Sequence, residues 1–280
     1  MEYIPDYFIG VCLFLFGLLI GSFLNVVIYR LPRRESIVWP GSHCPACNAA
    51  IKPYDNIPVL SYAILGGRCR NCRVAISPVY PAVELLVASL YLLAFLKDGR
   101  SLMLLADVIF VSLIVPLVFI DLRHKLLPNR ITYPGFIILL ILRAVAPDPA
   151  TLANARRMFG IEGAPDWGVA LISSAMGAIV GGGSLWLVRE AYLRLRKVEG
   201  MGLGDAKMMM MVGAFLGWQL TLLTIFIGSL LGSIIGILLI ATRGGNMKME
   251  IPFGVFLGPA GIIALFVGRQ IIAWYVGMYQ

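Results

Sequence analysis

Apolar residues in this chain come in long unbroken blocks, with none of the short alternation expected of a half-buried soluble helix or strand. Eight blocks stand at residues 7–29, 82–96, 101–120, 131–146, 167–188, 206–219, 220–241 and 253–276. Most approach the ~20 residues that a membrane-spanning helix needs. The least secure division lies between the sixth and seventh, where only Gly217-Trp218-Gln219 can turn the chain. The first block is not expected to be a removable signal peptide. It is too long, lacks a basic stretch before it, and leads into Tyr29-Arg30 instead of a small-residue cleavage site. Between the first and second blocks lies a polar stretch rich in Pro, Arg and Cys. The pattern predicts an all-α polytopic membrane protein with about eight transmembrane helices. Its expected parts are a first helix within 1–29, a cytoplasmic insertion over 30–81, and a seven-helix membrane domain over 82–280.

Composition agrees with the pattern. The 280 residues are 59% hydrophobic and only 14% charged, with mean hydropathy +0.87, which excludes an ordinary soluble domain. The distribution of cations then orients the chain. The loops 30–81, 121–130, 189–205 and 243–252 hold sixteen of the 23 Lys and Arg, and the opposite loops hold five. The basic side is the cytoplasm, so both termini are expected outside. The net charge of +8 therefore reports topology, and attraction to anionic lipid is secondary. No basic stretch is interleaved with base-stacking aromatics, which argues against nucleic acid.

Two acids stand out against this background. Asp121 closes the apolar run 111–120, and Asp205 ends the glycine-rich turn Gly200-Met201-Gly202-Leu203-Gly204 and opens the sixth block. Ionisable groups at membrane depth cost several kcal/mol unless they pair or face a wet cavity. Both fall at the cytoplasmic ends of their segments, so they share one leaflet. Two carboxylates that meet can share a proton and activate water, which makes proteolysis at the membrane edge the first hypothesis. Glycine permits close backbone approach, and at a helix start it leaves N–H groups free to face a substrate carbonyl. Asp107 lies fourteen residues before Asp121, roughly 21 Å along a helix. It therefore belongs near the outer face, where it ends or pairs within a helix. Glu84 opens the second block on the cytoplasmic side and could reach the same region as the pair, or simply cap its own helix.

Four of the five cysteines form Cys44-x2-Cys47 and Cys69-x2-Cys72, with 21 residues between the pairs. The units repeat in detail, Cys44-Pro-Ala-Cys47-Asn-Ala-Ala-Ile51 against Cys69-Arg-Asn-Cys72-Arg-Val-Ala-Ile76. Two such knuckles complete a closed tetrahedral thiolate site, for which structural zinc is the expected ion. Disulfides suit a reducing compartment poorly; redox thiols or an iron site remain alternatives. Cys12, in the first block, reads as a small core hydrophobe. His43 reads as a loop residue, because four thiolates already suffice.

Several segments together resemble the type IV prepilin peptidases, bifunctional leader peptidase/N-methyltransferases that serve type IV pili and type II secretion. They are Gly21-Ser22-Phe23-Leu24-Asn25-Val26-Val27-Ile28-Tyr29-Arg30-Leu31-Pro32, the two cysteine pairs, Pro53-x4-Pro58-x2-Ser61-Tyr62, Ile120-Asp121, and Gly200-Met201-Gly202-Leu203-Gly204-Asp205-Ala206-Lys207. The resemblance runs almost end to end. Its Gly-x-Gly-Asp element alone is shared with presenilin-like intramembrane proteases. Two departures are visible: Pro128-Asn129 where family members commonly have Pro-Asp, and Val255 where a second proline is common after Pro252-Phe253-Gly254. Neither touches the two acids.

The resemblance implies an inner-membrane aspartic endopeptidase. It would cut the basic leader from prepilins or pseudopilins at the cytoplasmic face, then methylate the new N-terminal amine with S-adenosylmethionine. Asp121 and Asp205 would carry cleavage. No glycine-rich nucleotide loop follows a strand, which excludes a Rossmann-type methyl-donor site. The donor is then expected at the cysteine-bearing loop. Gly67 and Arg68 are candidates, because glycine allows close approach and Arg can pair with the donor's carboxylate. A plain hairpin turn into the second knuckle is the competing reading. Asn25, Arg30 and Glu84 border the same surface and are weaker candidates. A proton-coupled transporter is the rival function, but it calls for inverted repeats and acids at midplane, and the sequence displays neither.

Overall fold

A computed structural model describes residues 5–198, 200–243 and 252–278. Among these the chain is helical, without strands; the only β-type pairings are two isolated bridges, His43 with Ala50 and Arg68 with Ala75. It divides into two compact units, one up to Pro116 and the other from Leu117 onward.

In the first unit, α1 (Asp6–Arg30) leads into the cysteine-bearing insertion, which contains the single-turn helix α2 (Leu60–Ile64). The chain returns through α3 (Val79–Asp98) and begins α4 (Leu102–His124). Helices α1 and α3 touch backbone to backbone. A Cβ at Gly17 would stand 2.6 Å from Ala88 Cα, and one at Gly21 2.6 Å from Glu84 Cα. Apolar lipid supplies no hydrophobic force between helices, so close contact through small residues is what holds them. Cys12 lies off this face and is exposed, which corrects its expected place in the core: the helix packs through its glycine stripe instead. Asp107 is fully buried on α4, and its Oδ2 accepts from Lys97 Nζ at 2.6 Å, with Lys97 also on Asp98 at 3.2 Å. It is a paired structural acid, as expected from its position.

The second unit holds the end of α4, then α5 (Asn129–Val145) and α6 (Pro149–Phe159), which meet at 84°. Helix α6 falls where the apolar pattern showed only a loop. Asp148 starts it by accepting from Thr151 N–H at 2.9 Å, and Leu152 and Ala155 pack on Val169 and Ala170. Its signal was one narrow apolar face among polar residues, too short to register beside 20-residue blocks. Next come α7 (Asp166–Ala178), a π-helical turn over Ile179–Gly183, and α8 (Ser184–Arg196), together longer than the expected 167–188. Helix α9 (Leu203–Leu216) is the centre of this unit, with ten of its fourteen residues buried. A glycine pinch seats it. A Cβ at Gly177 would lie 2.1 Å from Gly213 O, and one at Gly181 2.2 Å from Met209 O. The turn expected at Gly217-Trp218-Gln219 is present: α9 ends at Leu216, Gly217 takes φ +78°, and α10 (Trp218–Arg243) begins. The last helix is α11 (Gly254–Gly277).

Six helical stretches among the described residues are long and apolar enough to cross a membrane, or seven if the bent α5–α6 pair counts as one. The eight apolar blocks therefore all became helices, but α9 is shorter than a full span. The basic loop expected at 243–252 lies almost wholly outside the described residues.

Candidate functional site

Asp121 and Asp205 arrive from the ends of two different helices. Asp121 sits in the last turn of α4 and Asp205 in the first turn of α9, after Gly202 in extended conformation at ψ 144°. Both side chains are buried, and the charge of one bears directly on the other. A third helix end completes the site. The N–H groups of Gly254 and Val255, opening α11, lie toward Asp121, and that of Gly254 lies toward Asp205 as well. This corrects the expectation that neither departure touches the acids: Val255 is one of the two, and a proline there would have no N–H to offer. Free N–H groups at a helix start suit an anionic group. Asp121 Oδ2 is buried yet has no hydrogen-bond partner. A buried oxygen left unpaired asks for an explanation, and a reacting group is one.

Glycine is required where these ends converge. A Cβ at Gly254 would stand 2.7 Å from Asp121 Oδ2 and 3.3 Å from Leu127 Cδ1, and one at Gly204 3.0 Å from Leu127 Cβ. Leu127, buried just before α5, thus wedges between the glycine turn and the start of α11. Neither Gly254 nor Leu127 was singled out for this role by sequence; Pro252-Phe253-Gly254 before the last block was the available signal. Lys207, two residues after Asp205, donates to Asn129 Oδ1 at 3.1 Å and lies 5.3 Å from the Tyr133 ring centroid. It ties the start of α9 to the start of α5. Asn129, one of the two departures noted above, takes part in that tie.

The four cysteines meet in the first unit, with all four sulfurs within 4.8 Å of one another. Cys44 Sγ and Cys72 Sγ are 3.8 Å apart, which matches the edge of about 3.8 Å for a tetrahedron with Zn–S near 2.3 Å. The repeat seen in the sequence is a repeat in space. Cys44 N–H donates to Ala49 O and Asn48 N–H to Cys44 O; Cys69 N–H donates to Val74 O and Arg73 N–H to Cys69 O. Asn48 and Arg73 both take left-handed φ, 54° and 59°, to close their knuckles. The Asn71 amide and the Ala49 N–H pull the Cys47 thiol down to about 6. For Cys72 the Val74 N–H favours the thiolate, but burial and the neighbouring sulfurs push it up to about 11. Four thiols this close cannot all ionise without a cation between them. The donor set fits a soft divalent metal. His43 is exposed, with Nδ1 on Gly41 O at 3.2 Å, and stands outside the sulfur cluster.

The weaker candidates around the insertion have structural roles. Asn25 Nδ2 donates to Tyr80 O at 3.0 Å, Arg30 donates to three carbonyls of the entering loop, and Glu84 Oε2 accepts from Val59 N–H at 2.7 Å. Arg30 and Glu84 fasten the insertion to α1 and α3, and Asn25 joins those two helices to each other where the insertion leaves them. Gly66 and Gly67 take φ +58° and +66°, and the Gly67 N–H and O bond Tyr62 O and Ile76 N–H. Gly67 thus shapes the turn into the second knuckle, while the Arg68 side chain is exposed.

The profile of the bacterial peptidase A24 N-terminal domain matches residues 15–97, and that of the type IV leader peptidase family matches residues 108–237. A prepilin leader peptidase/N-methyltransferase of Aeromonas salmonicida is 37% identical, covering 94% of this chain and 92% of its own. Proteins of the same description in Pseudomonas aeruginosa (36% identical, 95% of this chain and 92% of theirs) and Legionella pneumophila (37%, 95% and 94%) are similar to the same extent. No solved structure gives a significant match.

Proposed function

Since this chain belongs to the type IV leader peptidase family, we propose that it removes the basic leader from type IV prepilins or pseudopilins and methylates the new N-terminus. The observation that carries the cleavage reading is the convergence of Asp121 and Asp205 on the N–H groups that open α11. One carboxylate takes a proton from water as its oxygen attacks the scissile carbonyl carbon. The protonated partner hydrogen-bonds the carbonyl oxygen as the carbon becomes tetrahedral and charge develops on that oxygen. The intermediate then collapses, the C–N bond breaks, and the leaving amine takes up a proton from the dyad. The two acids titrate as a unit, so neither is permanently acid or base.

A prepilin presents a cationic leader followed by an apolar helix, which puts its scissile bond at the cytoplasmic leaflet edge. Both dyad residues are assigned there by the basic-loop rule, with both termini outside. Eight crossings satisfy that topology, with α9 as a short sixth held inside the bundle. Cys44, Cys47, Cys69 and Cys72 would hold zinc as a closed structural site, which fixes the insertion and takes no part in a chemical step. S-adenosylmethionine would bind at this insertion, with Gly67 giving close approach and Arg68 pairing with its carboxylate.

The test is to incubate the purified, reconstituted protein with a full-length prepilin and weigh the products, with and without S-adenosylmethionine. Loss of the leader in both reactions, and a methyl added to the mature chain only with the donor, is the expected result. An intact prepilin after exposure to folded, metal-loaded protein would overturn the reading.

A further inference from the structure

Arg30 is the last residue of α1 and is only 6% exposed, although it stands where a spanning helix reaches water. The chain that follows uses its guanidinium. Nη1 donates to Ser36 O at 3.0 Å and Pro40 O at 2.7 Å, and Nη2 donates to Gly41 O at 3.1 Å. The segment between these anchors is therefore a loop with both feet on one side chain. Ser36 Oγ accepts from the N–H groups of Val38 at 3.3 Å and Trp39 at 3.2 Å, which fixes the turn by polar contacts alone. What the loop displays is apolar: Val38 is 82% and Trp39 78% exposed, beside the partly exposed Ile37. An apolar tip exposed on a turn that is hydrogen-bonded at both feet marks an interaction surface.

Position and charge identify what covers it. The feet of the loop are bonded to the end of the first candidate span. Two residues of extended chain carry the tip no more than about 7 Å beyond those feet. That is comparable with the headgroup layer, on the order of 5–8 Å thick on each side of the bilayer. The intervening turn exposes Arg33 and Arg34 with one acid, Glu35, which leaves it net cationic, and Arg33 stacks 4.0 Å from the Tyr29 ring centroid. Cations beside Trp and Tyr at a span's cytoplasmic end match the anionic headgroup region. The same two cations would repel a cationic leader, so a prepilin is the poorer occupant.

We propose that Ile37-Val38-Trp39 is an interfacial anchor, inserted at the boundary of headgroups and acyl chains, that holds the cysteine-bearing insertion against the membrane surface. Trp39 contributes its ring to the acyl boundary and its Nε1–H to the lipid carbonyls. Arg33 and Arg34 lie among the anionic headgroups. Arg30 acts as a positioning residue, because it sets the distance between the tip and the helix end.

The experiment uses the full chain in nanodiscs of mixed zwitterionic and anionic lipid, with acyl chains either plain or brominated near the headgroup. The chain has five tryptophans, so the Trp39 signal is taken as wild type minus Trp39→Phe, a change that keeps an aromatic ring and the fold. The expected difference spectrum is blue-shifted in plain lipid and largely lost in brominated lipid. A difference spectrum with the emission of water-exposed indole, quenched by aqueous iodide and indifferent to bromination, would leave the tip to solvent or to a protein and overturn the proposal. The second variant is Val38→Asp with Trp39→Asp. With metal content unchanged, deuterium uptake across residues 36–41 should rise above wild type; equal uptake counts against the anchor. If this variant loses its metal, the spectra of the Phe variant still decide. Neither readout uses peptidase activity, so failure here is distinct from failure of the cleavage reading.

Discussion

Gly254 is the residue on which the two acids converge, and the space around it sets the geometry of the dyad. A methyl group there would stand 2.7 Å from Asp121 Oδ2, so Gly254→Ala must displace either the carboxylate or the start of α11. A displacement of this kind costs about 10²-fold in rate when it misplaces a reacting group. Leader cleavage by Gly254→Ala should fall by that order with metal content unchanged, and a wild-type rate would show that the N–H groups of α11 do not position the pair. Asp121→Asn and Asp205→Asn keep side-chain volume but cannot cycle a proton. Each should lose cleavage beyond the 10²–10⁴ of ordinary general-base removal. Asp107→Asn should keep most activity, since Asp107 is a buried partner of Lys97. Sequence made Asp121 and Asp205 conspicuous, because a charge inside an apolar block is an anomaly wherever the block folds. Gly254 carried no such signal. Its requirement appears only when three helix ends, far apart in the chain, are brought together.

At the scale of elements, the legible parts were those whose signal is local. The two knuckles repeat in sequence and in backbone conformation, down to left-handed Asn48 and Arg73, so their pairing could be read without the fold. Purified protein should carry about one zinc per chain. A Cys44→Ser/Cys72→Ser double variant should lose it and unfold the insertion, because binding at such sites, on the order of 10 kcal/mol, is folding free energy. Cys12→Ser should keep the metal, since Cys12 lies exposed on α1 away from the cluster. Unchanged metal in the double variant would remove the site. The glycine pinch between α7 and α9 was not legible, because a glycine in an apolar block reads the same whether it faces lipid or a backbone. Gly177→Val would drive a side chain into Gly213 O. Overpacking of this kind costs about 1–3 kcal/mol, so this variant should melt earlier in detergent and lose cleavage through the misplacement of α9. Normal melting would mean that the helices can separate without penalty.

For the whole molecule, the question is whether one site or two serve the two reactions. The dyad belongs to the unit from Leu117 onward, while the cysteine cluster, Gly67 and Arg68 belong to the unit ending at Pro116. On the proposed reading, cleavage needs a shared proton on two carboxylates. Methyl transfer needs a neutral amine and a sulfonium donor, and positioning supplies most of its rate. The structure also decides which variant can probe the donor site. Gly67 takes φ +66°, and a Cβ on it would stand 3.0 Å from the Tyr62 ring, so any substitution there disturbs the second knuckle. Arg68 is exposed, and its side chain can be changed without that damage. Arg68→Glu should therefore depress methylation more than cleavage, with metal content unchanged. The dyad variants, given a synthetic peptide that already begins with the mature phenylalanine, should methylate it normally. The decisive measurement is the ratio of methylated to cleaved product for each variant, by mass. If dyad variants fail to methylate that peptide while folded and metal-loaded, and Arg68→Glu lowers both reactions in parallel, a single shared site replaces the two-site reading.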